Sequence, residues 1–286
     1  KLIQQFGDIE NLLQHLDEVQ GQKLKENLAA HADDARLSRK LCIFSTDAPA
    51  DIEWQHLALR PPDSEALRAL FAELEFRTLL AEMTDDGGRE KKGQKYQTVL
   101  EEKALRGLVA TLHESSGFAL DVETTDLEPV RASLVGISLA LRPGEAYYIP
   151  LRHSYPGAPK QLPAADVLAA LRPVLEDAAT PKYGQNIKYD MIVLAGEGVE
   201  LRGVAFDTMI ASYLLNPSRR THNLHDLALE HLNYKMTTYE DVAGKGAKQK
   251  TFDQVPIETA TFYSAEDADV TLQLTELLAP PLQEHG

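Results

Sequence analysis

Three short β-rich runs near the middle of the chain, at 117–123, 133–141 and 146–151, most constrain what it can fold into. They are separated by turn sequences, including Arg142-Pro143-Gly144, so they read as an antiparallel meander. A helical pattern at about 163–177, a short strand at 182–184 and a helix from about Ile187 follow, with mostly helical sequence beyond. A meander followed by βα units gives an α/β fold: a mixed sheet flanked by helices. With 286 residues, 43% of them hydrophobic, the chain can bury the core that such a sheet needs.

A small helical segment precedes this region. Apolar residues recur at helical spacing through about Phe44 (Leu2, Ile3, Phe6; Ile9, Leu12, Leu13, Leu16), and Asp8 is placed to cap the second run. Residues 45–62, with Pro49, Pro61 and Pro62, read as a connector, and Asp63-Ser64 opens a helix to about Met83. Residues 84–97 lack apolar anchors and are expected to be a flexible linker and the main domain boundary. A helix is expected near 101–115 and a long one from about Pro256. The organisation expected is therefore 1–44, 45–97 and 98–286.

The single Cys42 excludes an internal disulfide and, with no His/Cys cluster around it, a zinc site, which fits a reducing cytosol. Apolar runs such as 134–141 fall far short of the roughly 20 residues that span a bilayer. The chain reads as a soluble, cytoplasmic monomer without a membrane partner. Lys1, with no initiating Met and already inside an apolar-periodic segment, reads as an internal start. A net charge of −15 argues against nucleic acid as a partner, unless the acids are neutralised by divalent cations.

Candidate chemistry lies in three segments. In a strand, Asp121 and Glu123 point to one face, and the apolar residues on both sides of Asp121 argue for burial; many such pairs are simply solvated. Asp190 falls in the first turn of the helix after strand 182–184, either aimed across the sheet end or merely favouring the helix dipole. Tyr263 and Asp267, four apart, share a helix face, with Glu266 and Asp269 pointing elsewhere; the alternative is a core-edge Tyr beside a solvated stripe. Together they supply four carboxylates and a phenol, hard ligands suited to two Mg²⁺ or Mn²⁺ ions and to two-metal phosphodiester hydrolysis. Lys245, Lys248 and Lys250, in a loop without acids, are phosphate contacts or a solvated loop. Lys188 is open to the same two readings, and Arg219-Arg220 are a weaker phosphate candidate, open to the plain reading of surface turn residues after Pro217.

The order Asp121-x-Glu123, then Gln185-Asn186-x-Lys188-Tyr189-Asp190, then Tyr263-x-x-x-Asp267 resembles the proofreading exonuclease domain of the bacterial DNA polymerase I family. The likeness covers about 100–286, and the order of elements is that of ribonuclease H-like folds. The resemblance implies that Asp121, Glu123 and Asp267 hold one cation, and that Asp121 and Asp190 take part in holding a second, Mg²⁺ or Mn²⁺ with Zn²⁺ able to substitute. Tyr263 and Glu123 would orient a water for attack, releasing 5′-mononucleotides. Leu127 and Phe252 would pack on the terminal bases of a single-stranded or frayed DNA 3′ end, with Thr124, Asn186, Lys188 and Tyr189 also contacting substrate. Residues 1–44 resemble the last helices of the family's 5′ nuclease domain without its catalytic part, so no 5′ nuclease activity is expected. The covalently linked polymerase domain, serving DNA replication and repair, would follow Gly286. Ribonuclease D-type exonucleases share the acids and the Tyr, and some family members keep the domain only as a structural spacer.

Overall fold

The computed structural model describes residues 1–47, 57–59, 61–74, 76–83 and 94–284. These divide into two compact units, Lys1–Pro61 and Pro62–Gly286. In the first, α1 (Leu2–Phe6), α2 (Ile9–Gln14), α3 (Gln22–Ala30) and α4 (Ala32–Cys42) enclose a small core of Phe6, Leu12 and Val19. Asp8 caps α2 as its position in the sequence suggests, accepting from the Asn11 N–H at 2.8 Å.

The second unit opens with α5 (Ser64–Glu73) and α6 (Arg77–Met83), where a single helix is expected from the sequence. Asp63 caps α5 through the Glu65 and Ala66 N–H groups. The first of these helices ends at Glu73 and the second starts at Arg77, and the rings of Phe71 and Phe76 pack 6.2 Å apart. Five helical residues turn through about 140°, so an unbroken helix would keep those rings on different faces.

The linker expectation is corrected in part. Residues 84–93 lie outside the described residues, but Lys95–Thr98 form a strand, β1, paired parallel with β4 (Glu145–Pro150) from Lys95↔Glu145 onward. Its polar composition hid it: the strand is held by ladder hydrogen bonds and by Tyr96, whose hydroxyl donates to Asp269 at 2.7 Å.

Beyond β1 come α7 (Glu102–Glu114), β2 (Phe118–Thr124), β3 (Leu134–Arg142), β4, α8 (Ala164–Leu175), β5 (Lys182–Gly184) and α9 (Lys188–Gly196). The meander and the βα units thus stand where the pattern places them. An edge strand without apolar alternation, β6 (Val204–Asp207), was not legible in the sequence. It leads into α10 (Thr208–Leu215), α11 (Leu224–Leu227), α12 (Tyr239–Ala243) and the 28-residue α13 (Ile257–Glu284). The sheet order is β1-β4-β3-β2-β5-β6, antiparallel at β2/β3 and β3/β4 and parallel elsewhere.

Strand alternation decides what each face carries. From β2, Leu120 and Val122 enter the core that Leu105, Leu108 and Leu112 of α7 share with Val167 and Leu171 of α8. Ala119 points the other way, and with Ala140 and Ala146 it meets Ala265, Ala268 and Leu272 of α13. These small side chains let α13 lie close across the sheet. Two and four residues beyond Ala119, Asp121 and Glu123 share its face and therefore point at α13. Opposite Glu123 stands Gly136, where a Cβ would come within 2.2 Å of the Tyr148 hydroxyl. Tyr148 is fully buried and bonded to His153, so it cannot yield, and any larger residue would displace it.

Candidate active site

The face shared by β2 and α13 brings the sequence candidates together. Asp121 is half-buried, while Glu123, Asp190, Tyr263 and Asp267 are buried. One carboxylate oxygen each from Asp121, Glu123 and Asp267 lies within 4.8 Å of the others. Asp190 approaches from α9 and its Oδ1 accepts the Val122 N–H at 2.8 Å, between the two acids of β2. Glu123 is steadied by Ser264, whose hydroxyl donates to Oε1 at 2.7 Å. The Tyr263 phenol lies one helical turn from Asp267, and Asp267 Oδ1 is buried with no hydrogen-bond partner.

Burial raises the pKa of all four carboxyls, and their mutual repulsion adds to it for three of them. Asp121 is pushed up to about 7 by burial. After burial, its charge is the strongest neighbouring influence on Glu123, Asp190 and Asp267. What offsets exist come from neutral donors, such as Val122 N–H to Asp190 and Ser264 O–H to Glu123. Burial, then Asp267, Glu123 and Asp121, hold the Tyr263 hydroxyl well above its ordinary range, so it stays protonated. Clustered buried carboxylates with an orphaned oxygen and only neutral offsets fit hard divalent cations, which would supply the missing positive charge.

The acids open into a cavity of about 820 Å³, also lined by Thr124, Leu127, Asn186, Tyr189 and Lys250. Leu127 is 94% exposed, a free apolar tip. The hydroxyls of Thr124 and Tyr189 lie within hydrogen-bond reach of each other and of the Asp126 carbonyl, and the two protons they share among these contacts tie down the loop that carries Leu127. Lys188 is exposed, bonded to Asn186 Oδ1 and off the cavity wall. Lys248 is exposed and likewise off the wall, whereas Lys245 already pairs with Glu240 at 2.7 Å.

Three expectations are corrected here. Phe252 has no exposed surface: its ring packs 5.8 Å from Tyr263 and 5.9 Å from His153, inside a core with Tyr148 and Val255. It cannot offer a face to a base and instead backs Tyr263. Phe252→Ala should therefore lower stability by about 3–5 kcal/mol in chemical denaturation; a weaker affinity for single strands at unchanged stability would restore the stacking role. Arg219 is no surface turn residue, being 7% exposed and paired with Glu230 at 2.7 Å. Nor is the stripe beside Asp267 solvated: buried Glu266 accepts from the Tyr234 hydroxyl and the Thr237 N–H, and buried Asp269 accepts from Tyr96 and the Gly144 N–H. Sequence reasoning missed Ser264, beside Tyr263 in the same motif, and the wall residues Met209, Asn223 and Tyr239, which carry no local signal.

The six-stranded mixed sheet with helices on both faces is ribonuclease H-like, and Asp121 and Glu123 of β2 with Asp267 of α13 form an acidic cluster able to bind a metal ion. Residues 96–283 match the family described as 3′-5′ exonuclease, and residues 1–65 match the family described as 5′-3′ exonuclease, C-terminal SAM fold. The chain belongs to the 3′-5′ exonuclease family of DNA polymerase I. It is 41% identical over 295 residues to DNA polymerase I of Pseudomonas aeruginosa, which covers 97% of this chain and 32% of that protein. With DNA polymerase I of Chloroflexus aurantiacus the identity is 35% over 321 residues, 99% of this chain and 33% of the relative. The chain thus spans about a third of the length of these relatives. In fold it is similar to the polymerase-domain structure of Pol1 from M. smegmatis (TM-score 0.51, 24% identity, 65% of this chain and 28% of that one). It is similar too to ribonuclease D of Trypanosoma brucei (TM-score 0.51, 14% identity, 65% of each chain).

Proposed function

We propose that this chain carries the proofreading 3′→5′ exonuclease of a DNA polymerase I, removing 5′-mononucleotides from a single-stranded or frayed DNA 3′ end. The observation that supports it most is the trio of half-buried Asp121 and buried Glu123 and Asp267, with one Asp267 oxygen unpartnered, on the wall of an open cavity. Asp121, Glu123 and Asp267 would hold one divalent cation, and Asp121 with Asp190 the second, Mg²⁺ or Mn²⁺ by the hardness of the ligands. When bound, such ions supply positive charge at the attacking water and at the leaving 3′ oxygen. The chain's own groups do the rest. Tyr263, kept protonated, and Glu123, held by Ser264, orient the water in line with the terminal phosphodiester. Leu127 offers an apolar wedge against the terminal bases, while Thr124, Asn186 and Tyr189 shape the wall. Lys250 is the cation best placed for a backbone phosphate; Lys248 and Lys188 lie farther out, and Lys245 would first have to leave Glu240.

Residues 1–44 read as the closing helices of a 5′ nuclease domain without its catalytic part, a reading supported by the match at 1–65. The covalent partner would be a polymerase domain, in a cytoplasmic protein of DNA replication and repair. The test is incubation of 3′-labelled and 5′-labelled single-stranded DNA and RNA with the chain and Mg²⁺ or Mn²⁺. Stepwise shortening of DNA from the 3′ end is expected; inertness of the folded protein with both cations, or faster cutting of RNA, would defeat the reading.

A further inference from the structure

Asp207, which no motif in the sequence singles out, ends β6 and caps α10. Its Oδ1 accepts the Met209 and Ile210 N–H groups at 2.9 and 3.3 Å, the usual duty of an Asp before a helix. The same carboxylate reaches a second segment. Oδ1 also accepts the Asn186 N–H at 3.1 Å and Oδ2 the Ile187 N–H at 3.0 Å, on the turn between β5 and α9. One buried side chain thus satisfies four backbone donors from two segments, and two of those residues, Asn186 and Met209, line the cavity.

That turn is under local strain. Asn186 sits at φ 57, in the left-handed region, and a Cβ at Gly184 would come within 2.7 Å of Ile187. Such a backbone persists only where its surroundings over-determine it. Asp207 holds it through two N–H groups, and Thr208 through its hydroxyl, which donates to Gln185 Oε1 and stands 3.3 Å from the Gly184 carbonyl. The turn decides where α9 starts, and Asp190 lies in the first turn of α9. At the far end of this chain of contacts, Asp190 Oδ1 meets the Val122 N–H.

We propose that Asp207 is a positioning residue for the nuclease reaction: it locks the Gln185–Ile187 turn, and through it sets Asp190 and the Asn186 wall of the cavity. The proposal rests on the exonuclease reading for its kinetic consequence only. Asp121, Glu123 and Asp267 stand on β2 and α13 and do not depend on this turn. Losing Asp207 should therefore split the site, moving Asp190 while leaving the trio in place.

Asp207→Asn puts an N–H₂ donor where backbone donors converge, so at least one buried N–H loses its acceptor. Asp63→Asn, at the cap of α5, is the control for a cap lost elsewhere. Three readouts apply to the full chain. The Val122 amide, observed by NMR, should exchange roughly tenfold faster in Asp207→Asn. The kcat on single-stranded DNA should fall about 10–100-fold, as when a partner that orients a metal ligand is removed. The half-point for the tighter Mn²⁺, the one held by the trio, should stay within about two-fold, because the trio is untouched, while the second ion that Asp190 shares should bind more weakly.

Wild-type protection of Val122, or an unchanged kcat, would overturn the proposal. So would a parallel fall in the affinity for the trio's Mn²⁺ and in protection throughout the unit, which would make Asp207 a general structural prop. Should Asp207→Asn fail to fold, Thr208→Val removes the other tie and is expected to move Val122 exchange and kcat the same way by a few-fold; no change there overturns it equally. If the wild-type chain cuts nothing, the exonuclease reading falls, and Val122 exchange still decides whether Asp207 places Asp190.

Discussion

Asp121→Asn is expected to slow 3′-end shortening by about three orders of magnitude or more, equivalent to roughly 4 kcal/mol of lost transition-state stabilisation. The reason lies in where Asp121 stands. It belongs to the trio with Glu123 and Asp267, and its charge also acts on Asp190, so both proposed cation positions depend on it. An amide keeps the size of the side chain and removes the charge. Glu123 and Asp267 would remain, so residual affinity for one cation should persist while the rate collapses. The measurement is the single-turnover rate on a 3′-labelled single strand at saturating Mg²⁺ and Mn²⁺. A variant within tenfold of wild type would remove Asp121 from the centre of the chemistry.

The same substitution should stabilise the metal-free protein, increasingly so as pH rises. A carboxyl whose folded-state pKa lies above its unfolded value binds more protons folded than unfolded between those two values. For Asp121 the window runs from 3.8 to about 7. Below it the group is protonated in both states and its burial carries no ionisation penalty. Through it stability falls, and above it the full cost of a desolvated charge applies, on the order of 4 kcal/mol for a rise of that size. Glu123, Asp190 and Asp267 shift the same way, from burial first and then from one another, and Asp121 contributes to each. Neutralising Asp121 relieves all of them.

In chelator, the wild-type denaturation midpoint should therefore drop relative to Asp121→Asn between pH 5 and 8, and the two should converge near pH 4. Millimolar Mg²⁺ or Mn²⁺ at pH 8 should restore the wild type far more than the variant, since a ligand that binds only the folded state stabilises it by mass action. Equal midpoints for both proteins at pH 8 in chelator would mean that the acids are solvated and the buried cluster does not exist.

The sequence by itself determined the elements whose signals are local. The meander, the βα units and α13 follow from apolar periods of two and of about 3.6 residues, and these survive because the face that packs is the face that is apolar. Asp121 and Glu123 on one strand face, and Tyr263 and Asp267 on one helix face, are legible for the same reason: spacing within a single element fixes direction. Only the tertiary structure decided what depends on two segments meeting. Phe252 lies among loop residues that name no face, and it is the packing of His153, Tyr148 and Tyr263 around it that takes it out of reach of a substrate. Lys95–Thr98 are polar enough to pass for linker, and become a strand because β4 offers a free edge and Asp269 a partner for Tyr96. Glu266 and Asp269 share the helix that carries Asp267, yet their partners Tyr234 and Tyr96 lie 32 and 173 residues away in the chain. Asp207 reads in sequence as an ordinary cap, and only the arrival of the Asn186 turn beside it turns that cap into a joint. Periodicity records which side of an element is buried; what buries it, and which charge it finds there, is set by contacts distant in the chain.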